Sequence, residues 1–406
     1  RCGWFMRSGV GAASSVAGGL HSIEGRVHAP SIESAAMLIL LVAFGTALGL
    51  TLLTVATARR YTHLLNDHDL SGPQKFHAFP VPRVGGIGIL AGVIAGLVVA
   101  LWHGRTMDAQ GFLLLACGIP TFAAGLTEDI TKNVSPRRRL FFTAASAALA
   151  VWLVDAVIAR TAIPGLDWVV SYPLGAGLVT VFVVAGVANS LNIIDGFNGL
   201  SSMCGVLILA CLCYVAAVVG DTFVMQLALV GIGAIFGFFV WNFPAGLIFL
   251  GDGGAYFVGF YVAELAILLL HRNPDVSPMF PLLLCIYPVF ETVFSIYRRK
   301  FLRDVSPGLP DGLHLHSLVY RRLMRWAIGS TNAKALTRRN SMTSPYLWML
   351  CMLAVFPAVL FWDNTAALAA FIVAFSIGYV VLYWRIVRFK SPRWLVYRRR
   401  GDNSDR

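Results

Sequence analysis

Long apolar runs alternate with short polar breaks along this chain. Eleven runs read as helices, at approximately 37–58, 84–102, 111–126, 140–158, 173–189, 200–219, 224–241, 255–270, 279–297, 345–362 and 365–384. Each approaches the roughly 20 apolar residues that a helix needs to cross a bilayer, the third and eighth being short. Glycine recurs inside them, as in Gly85-Gly86-Ile87-Gly88 and Gly231-Ile232-Gly233. Small residues let membrane helices pack closely. The pattern predicts an all-α, polytopic membrane protein with about eleven transmembrane helices.

Composition supports this reading. The chain is 57% hydrophobic and 13% charged, against about 25% charged in ordinary soluble domains. Its seven cysteines lie mostly inside apolar runs, with neither metal-ligand spacing nor a disulfide framework. Cys211-Leu212-Cys213 reads as apolar filling of a helix. A net charge of +12 in so apolar a chain points to loops beside anionic lipid rather than to nucleic acid.

The loops set an orientation. Connections 59–83, 127–139, 190–199, 242–254, 298–344 and the tail after 384 hold 26 of the 32 Lys and Arg residues. The others are Arg1, Arg7, Arg26, Arg105, Arg160 and Arg272. The positive-inside rule therefore places the first set in the cytoplasm, the N-terminus outside and the C-terminus inside. Residues 1–36 are rich in Gly, Ser and Ala and lack the apolar core of a signal peptide. They are expected to be a non-native or disordered extension, with translation beginning at Met37. A single integral membrane domain would then run over 37–390, with a basic cytoplasmic tail at 391–406.

The polar breaks carry the chemistry, and on this topology all of them face the cytoplasm. A carboxylate beside a membrane span is costly and marks function more often than not. Lys75, His77 and Arg83 lead into the second span through Pro80, Pro82, Gly85 and Gly86; this basic cluster suits lipid headgroups or a phosphate. Glu128-Asp129 abuts an apolar run and is followed by Lys132 and Arg137-Arg138-Arg139. Adjacent acids suit proton transfer or Mg²⁺, whereas the three arginines read as a solvated loop.

Asn189, Asn192, Asp195 and Asn198 recur every third residue, so on a helix they would share a face. No Lys or Arg lies between Val187 and Leu200 to balance Asp195, which calls for an outside cation. Asp252 lies in Phe249-Leu250-Gly251-Asp252-Gly253-Gly254 just before a helix start, where anions are favoured, and Asn242 precedes it. His314 and His316 alternate in the longest loop, as if on one face of a strand.

Taken together, these motifs resemble the polyprenyl-phosphate N-acetylhexosamine-1-phosphate transferases, the WecA/MraY-like superfamily of glycosyltransferase family 4. The likeness covers nearly all of the chain after Met37. It rests on Pro-Arg-x-Gly-Gly, the acidic pair, Asn-x-x-Asp-Gly-x-x-Gly-Leu, the Gly-Asp segment and the late histidines. The resemblance implies that a polyprenyl phosphate attacks the β-phosphorus of a UDP-N-acetylamino sugar. UMP leaves and a polyprenyl-diphospho-sugar forms, with Mg²⁺, or Mn²⁺ in its place, as cofactor.

Carried over by residue, the resemblance makes Asp252 and Asp195 metal ligands. Glu128, Asp129, Asp195, His314 and His316 would be catalytic, and Lys75, Arg83, Lys132, Asn189, Asn192, Asn198 and Asn242 would bind substrate. It further implies a multi-pass protein of the bacterial cytoplasmic (inner) membrane, its active site facing the cytoplasm, with anionic lipid and a second copy of the chain as further partners.

Departures from the family pattern narrow the branch. Glu128 replaces the usual first aspartate, Asn198 stands where many members have a further aspartate, and Ser317 replaces a third histidine. Asn198 and Ser317 point away from the peptidoglycan-precursor branch. They favour initiation of O-antigen, capsule or related surface polysaccharide, with N-acetylglucosamine as the first choice of sugar and a deoxy or galacto N-acetyl sugar as the alternative. The rival class is a transporter or flippase for polyprenyl-linked or anionic substrates. It would keep charges near the midplane and show repeats, and no inverted repeat is seen here.

Overall fold

The computed structural model describes residues 32–58, 81–103, 109–302, 312–324 and 333–388. These residues form helices and no strand elements. In chain order they are α1 (Ile32–Ala58), α2 (Gly85–His103), α3 (Gln110–Thr131), α4 (Pro136–Leu153), α5 (Leu166–Val170), α6 (Pro173–Ile194) and α7 (Leu200–Val218). Then follow α8 (Thr222–Asn242), α9 (Gly251–Arg272), α10 (Met279–Leu284), α11 (Ile286–Tyr297), α12 (Leu315–Leu318), α13 (Ala333–Leu360) and α14 (Thr365–Val387). Short π-helical turns lie at Arg298–Leu302 and Val319–Met324. The predicted start at Met37 falls inside α1.

A helix lies on every one of the eleven predicted segments, and among the described residues nine are long and apolar enough to cross a membrane. The other two segments differ for local reasons. The segment predicted at 140–158 runs instead from Pro136, because the Ser135 hydroxyl accepts from Arg138 N and Pro136 occupies the first helical position. It stops where Asp155 adopts φ +57°. The segment predicted at 279–297 is broken at Cys285; Pro288 has no N–H to offer the turn before it. The last twelve residues of the predicted loop 298–344 are helical, as the start of α13.

α9 is the axis of the bundle. Every residue of its most apolar window is buried, and it packs mainly against α3 and α6, with α2 and α7 also in contact. α1 lies on α2 and α8, while α13 covers α7 and α14 packs on α10. α1 and α14 bury little of their surface, as helices facing lipid do. Close helix contact at one end depends on glycine. A methyl at Gly125 of α3 would stand 2.5 Å from Gly253 N, and one at Gly86 of α2 would stand 2.6 Å from Gly254 Cα. The starts of α2 and α9 and the end of α3 are thereby drawn together.

The opposite end of the bundle is closed by a polar clamp. Asp221 caps α8 through Val224 N (3.2 Å) and accepts from Arg272 Nε (2.9 Å) and Asn273 Nδ2 (3.0 Å). Arg160 donates to the carbonyls of Leu270 (3.1 Å) and Asn273 (2.8 Å).

Candidate active site

The site is built on the start of α9. Phe249 N donates to Pro82 O (2.8 Å), Gly85 N to Phe249 O (3.0 Å) and Gly86 N to Leu250 O (3.0 Å). This short extended pairing lays the Pro-Arg-x-Gly-Gly segment beside the turn into α9. Gly251 then takes φ +77°, a left-handed conformation open to glycine without steric cost. A side chain there would strike the Arg83 carbonyl and the Asp129 carboxylate.

Asp129, in the last turn of α3, spans the first amides of α9. Its Oδ1 accepts from Asp252 N and its Oδ2 from Gly253 N, both at 2.9 Å. It thus acts as a cap supplied by another helix, satisfying donors that a helix start leaves unpaired. Arg83, Lys132 and Arg139 all act electrostatically on Asp129. Glu128, one residue earlier, accepts from Val134 N (2.7 Å) and shapes its own loop. Lys132 ends α3 in a left-handed conformation and is exposed.

Asp252 projects from the first turn of α9. It forms an ion pair with Arg139 of α4, both side chains being 14% exposed, and accepts from Asn192 Nδ2 (2.9 Å) at the end of α6. The Arg139 guanidinium also lies 5.8 Å from the Tyr256 ring centre, and Tyr256 donates its hydroxyl hydrogen to Asn189 Oδ1 (3.1 Å). The expected common face thus holds for Asn189 and Asn192, both of which reach α9.

Asp195 sits just past α6 with non-helical backbone. Its residue is half-buried, and its carboxylate has no hydrogen bond or ion pair among the described residues. Burial pushes the carboxyl up to about 7; neighbouring Asp129 pushes the same way and Arg83 opposes.

The face is lost at Asn198, because α6 stops at Ile194. Asn198 is 2% exposed and is fastened to α13. Its N donates to Asn340 Oδ1 (2.9 Å), its Nδ2 to Ser341 Oγ (3.0 Å), and its O accepts from Ser344 Oγ (2.6 Å). Trp348 Nε1 holds Gly199 O (3.0 Å). Asn242 does similar work: its Oδ1 accepts from Gly199 N (2.5 Å) and its Nδ2 donates to Ile248 O (2.7 Å). Both asparagines hold backbone in place around the site.

His314 and His316 stack with ring centres 5.0 Å apart and planes at 9°. They do so at the start of helix α12, not on a strand. A methyl built on Gly196 would stand 3.6 Å from His316 Nε2, so the histidines adjoin the Asp195 corner. Lys75 lies outside the described residues.

Two participants escaped the sequence reading. In the sequence Arg139 is indistinguishable from its exposed neighbours Arg137 and Arg138, but the phase of α4 turns it alone onto Asp252. Glu291 lies inside an apolar run, where an acid is itself a signal.

Among the described residues no three His, Cys, Asp or Glu side chains form a ready metal cage. A hard cation such as Mg²⁺ takes one or two carboxylates and fills its other positions with water and substrate phosphate oxygens. Asp252 and the Asn192 amide meet at 2.9 Å, and Asp195, on which Arg83 and Asp129 act electrostatically, is the further carboxylate of oxygen-donor chemistry suited to such a cation. Arg139 now balances Asp252.

Residues 111–270 match the family described as Glycosyl transferase family 4. The chain is 27% identical over 297 residues to a probable undecaprenyl-phosphate N-acetylglucosaminyl 1-phosphate transferase of Bacillus subtilis (strain 168), covering 72% of this chain and 79% of that protein. It is 25% identical over 372 residues to the undecaprenyl-phosphate alpha-N-acetylglucosaminyl 1-phosphate transferase of Escherichia coli (strain K12), covering 87% and 95%. A phospho-N-acetylmuramoyl-pentapeptide-transferase of Geobacillus thermodenitrificans is 28% identical over 199 residues, covering 46% and 60%.

Proposed function

We propose, from the match of residues 111–270 to glycosyl transferase family 4 and from the likeness to N-acetylglucosaminyl 1-phosphate transferases, that the chain transfers N-acetylglucosamine 1-phosphate from UDP-N-acetylglucosamine to undecaprenyl phosphate. UMP is released, and the lipid-diphospho-sugar formed starts a surface polysaccharide. The observation that carries this reading is the meeting of Asp129 and Asp252, from two helices, and Asp195, just past a third, with Arg83, Arg139 and Asn192 at one end of a membrane bundle. The similarity to N-acetylglucosaminyl transferases spans far more of the chain than that to the pentapeptide transferase, which supports the choice of sugar.

Phosphoryl transfer depends mainly on positioning and on neutralising charge. A phosphate monoester has a second pKa of about 6, so the lipid phosphate arrives largely ionised near neutral pH. It needs docking more than deprotonation. Arg83 and Arg139 supply guanidinium groups whose fork matches phosphate oxygens. Asp129 has both oxygens on the first amides of α9; its part is to fix the height and angle at which Asp252 projects. Asn192 orients Asp252 through its amide, and Tyr256 orients Asn189. His316 turns its Nε2 toward Gly196, the residue after Asp195.

Asp252, Asp195 and the Asn192 amide oxygen would hold Mg²⁺, or Mn²⁺ in its place. When bound, the cation would neutralise diphosphate charge and polarise its oxygens. The distribution of Lys and Arg supports an active site facing the cytoplasm, where a nucleotide sugar is met. The deciding experiment incubates membranes containing the protein with undecaprenyl phosphate, Mg²⁺ and a panel of UDP-sugars, and scores UMP release. Release from UDP-N-acetylglucosamine that requires the lipid is the expected result; no lipid-dependent release from any UDP-sugar would refute the reading.

A further inference from the structure

Glu291 has no part in the chemistry above, yet it is 1% exposed inside α11, where it accepts two hydrogen bonds and faces two imidazoles. Its Oε1 accepts from Leu315 N (2.6 Å) and faces His314 Nδ1 at 3.4 Å and His316 Nδ1 at 3.7 Å. Its Oε2 accepts from the Tyr379 hydroxyl of α14 (2.8 Å). An unpaired buried carboxylate is strongly disfavoured, and these donors answer that cost. Both imidazoles therefore present the same edge, Nδ1, to one carboxylate.

The consequence lies on the opposite edge of the rings. A group on Nδ1 sets which nitrogen of an imidazole carries hydrogen and how the ring is turned. With Nδ1 facing Glu291, Nε2 of His316 is left toward Gly196, next to Asp195. Phe197 meets the same ring edge-on at 5.6 Å, and the stack on His314 limits its rotation.

We propose that Glu291 is a positioning residue, which turns the Nε2 edges of His314 and His316 toward the reacting diphosphate at the 195–199 corner. The inference rests on the transferase reading. The competing account is that Glu291 merely ties α11, α12 and α14 together.

A double-mutant cycle separates the two accounts. Glu291→Gln keeps the shape and an acceptor for Leu315 N but removes the charge facing the imidazoles. Its turnover should fall on the order of tenfold or more. In a His314→Ala/His316→Ala background the same change should cost less than about twofold, because the groups it acts through are gone. Tyr379→Phe removes the tie to α14 and leaves Oε1 untouched, so it should lose much less activity than Glu291→Gln. Equal losses in these two variants, or full additivity with the histidine changes, would overturn the proposal.

A second readout does not depend on turnover. Labelling of His314 and His316 by diethyl pyrocarbonate, followed by peptide mass spectrometry, should rise severalfold in Glu291→Gln as the rings lose their anchor. Unchanged labelling overturns the proposal even where wild-type protein is inactive on every UDP-sugar, a result that would count against the transferase reading itself. If Glu291→Gln fails to fold, Glu291→Asp, which draws the carboxylate back by one methylene, carries the same tests.

Discussion

Asp252→Asn separates the structural from the chemical role of the residue at the centre of the site. The change preserves shape, and the new amide oxygen can still accept from Asn192, which stands 2.9 Å from the native carboxylate. It removes the charge paired with Arg139, where both side chains are only 14% exposed and solvent screens little. A hydrogen bond to a charged group contributes about 1.5–3 kcal/mol net, so the fold should weaken on that scale. The chemical loss should be larger. A metal-polarised phosphoryl oxygen is stabilised by several kcal/mol. At about 1.36 kcal/mol per tenfold, a loss of about 4 kcal/mol is roughly a thousandfold in rate. Thermal unfolding in detergent reads the first effect. UMP release at saturating Mg²⁺ and UDP-N-acetylglucosamine reads the second. A folded Asp252→Asn protein that keeps more than about a tenth of wild-type turnover would refute a primary metal role.

A reporter fused after Arg400 should read cytoplasmic, and one within 273–278 should read external; the reverse would overturn the placement of the site. Gly125→Ala sets a methyl 2.5 Å from Gly253 N, so α9 must shift. Overpacking of this kind costs about 1–3 kcal/mol, and a lowered melting temperature with reduced turnover is expected, against no change in either if the close approach is unimportant. Asn198→Asp places a charge where Nδ2 donates to Ser341, whose hydroxyl is already committed to Pro244 O. Stability should fall by about 1–3 kcal/mol with the KM for UDP-sugar unchanged; a raised KM at full stability would instead make Asn198 a substrate ligand.

The bundle was legible because apolar run length needs no tertiary knowledge. The polar breaks were legible for the opposite reason: Asp129, Asp195 and Asp252 stand out against apolar neighbours. Side-chain destination was not legible. Arg137, Arg138 and Arg139 are chemically alike, and only the rotation of α4 selects the one that reaches Asp252. The three-residue spacing from Asn189 to Asn198 promised one face, but that promise requires a continuous helix, and α6 ends at Ile194. Helix α13 begins twelve residues before the apolar run, because its first turns are polar where they meet Asn198. Glu291 was hidden by its own burial, since its partners come from α12 and α14.

The fastening of Asn198 and Gly199 to α13 bears on how the enzyme is made. Their partners Asn340, Ser341, Ser344 and Trp348 lie more than 140 positions later in the chain. A ribosome that has delivered everything through α9 has already supplied all three aspartates of the site and both of its arginines. The corner beside Asp195 still lacks its far wall. Two of the last segments to be inserted, the histidine turn and α13, close on that same corner. Competence for turnover is therefore a property of the finished chain, and a product truncated before α13 keeps its acids in place but lacks the wall that fastens Asn198 and Gly199 beside Asp195.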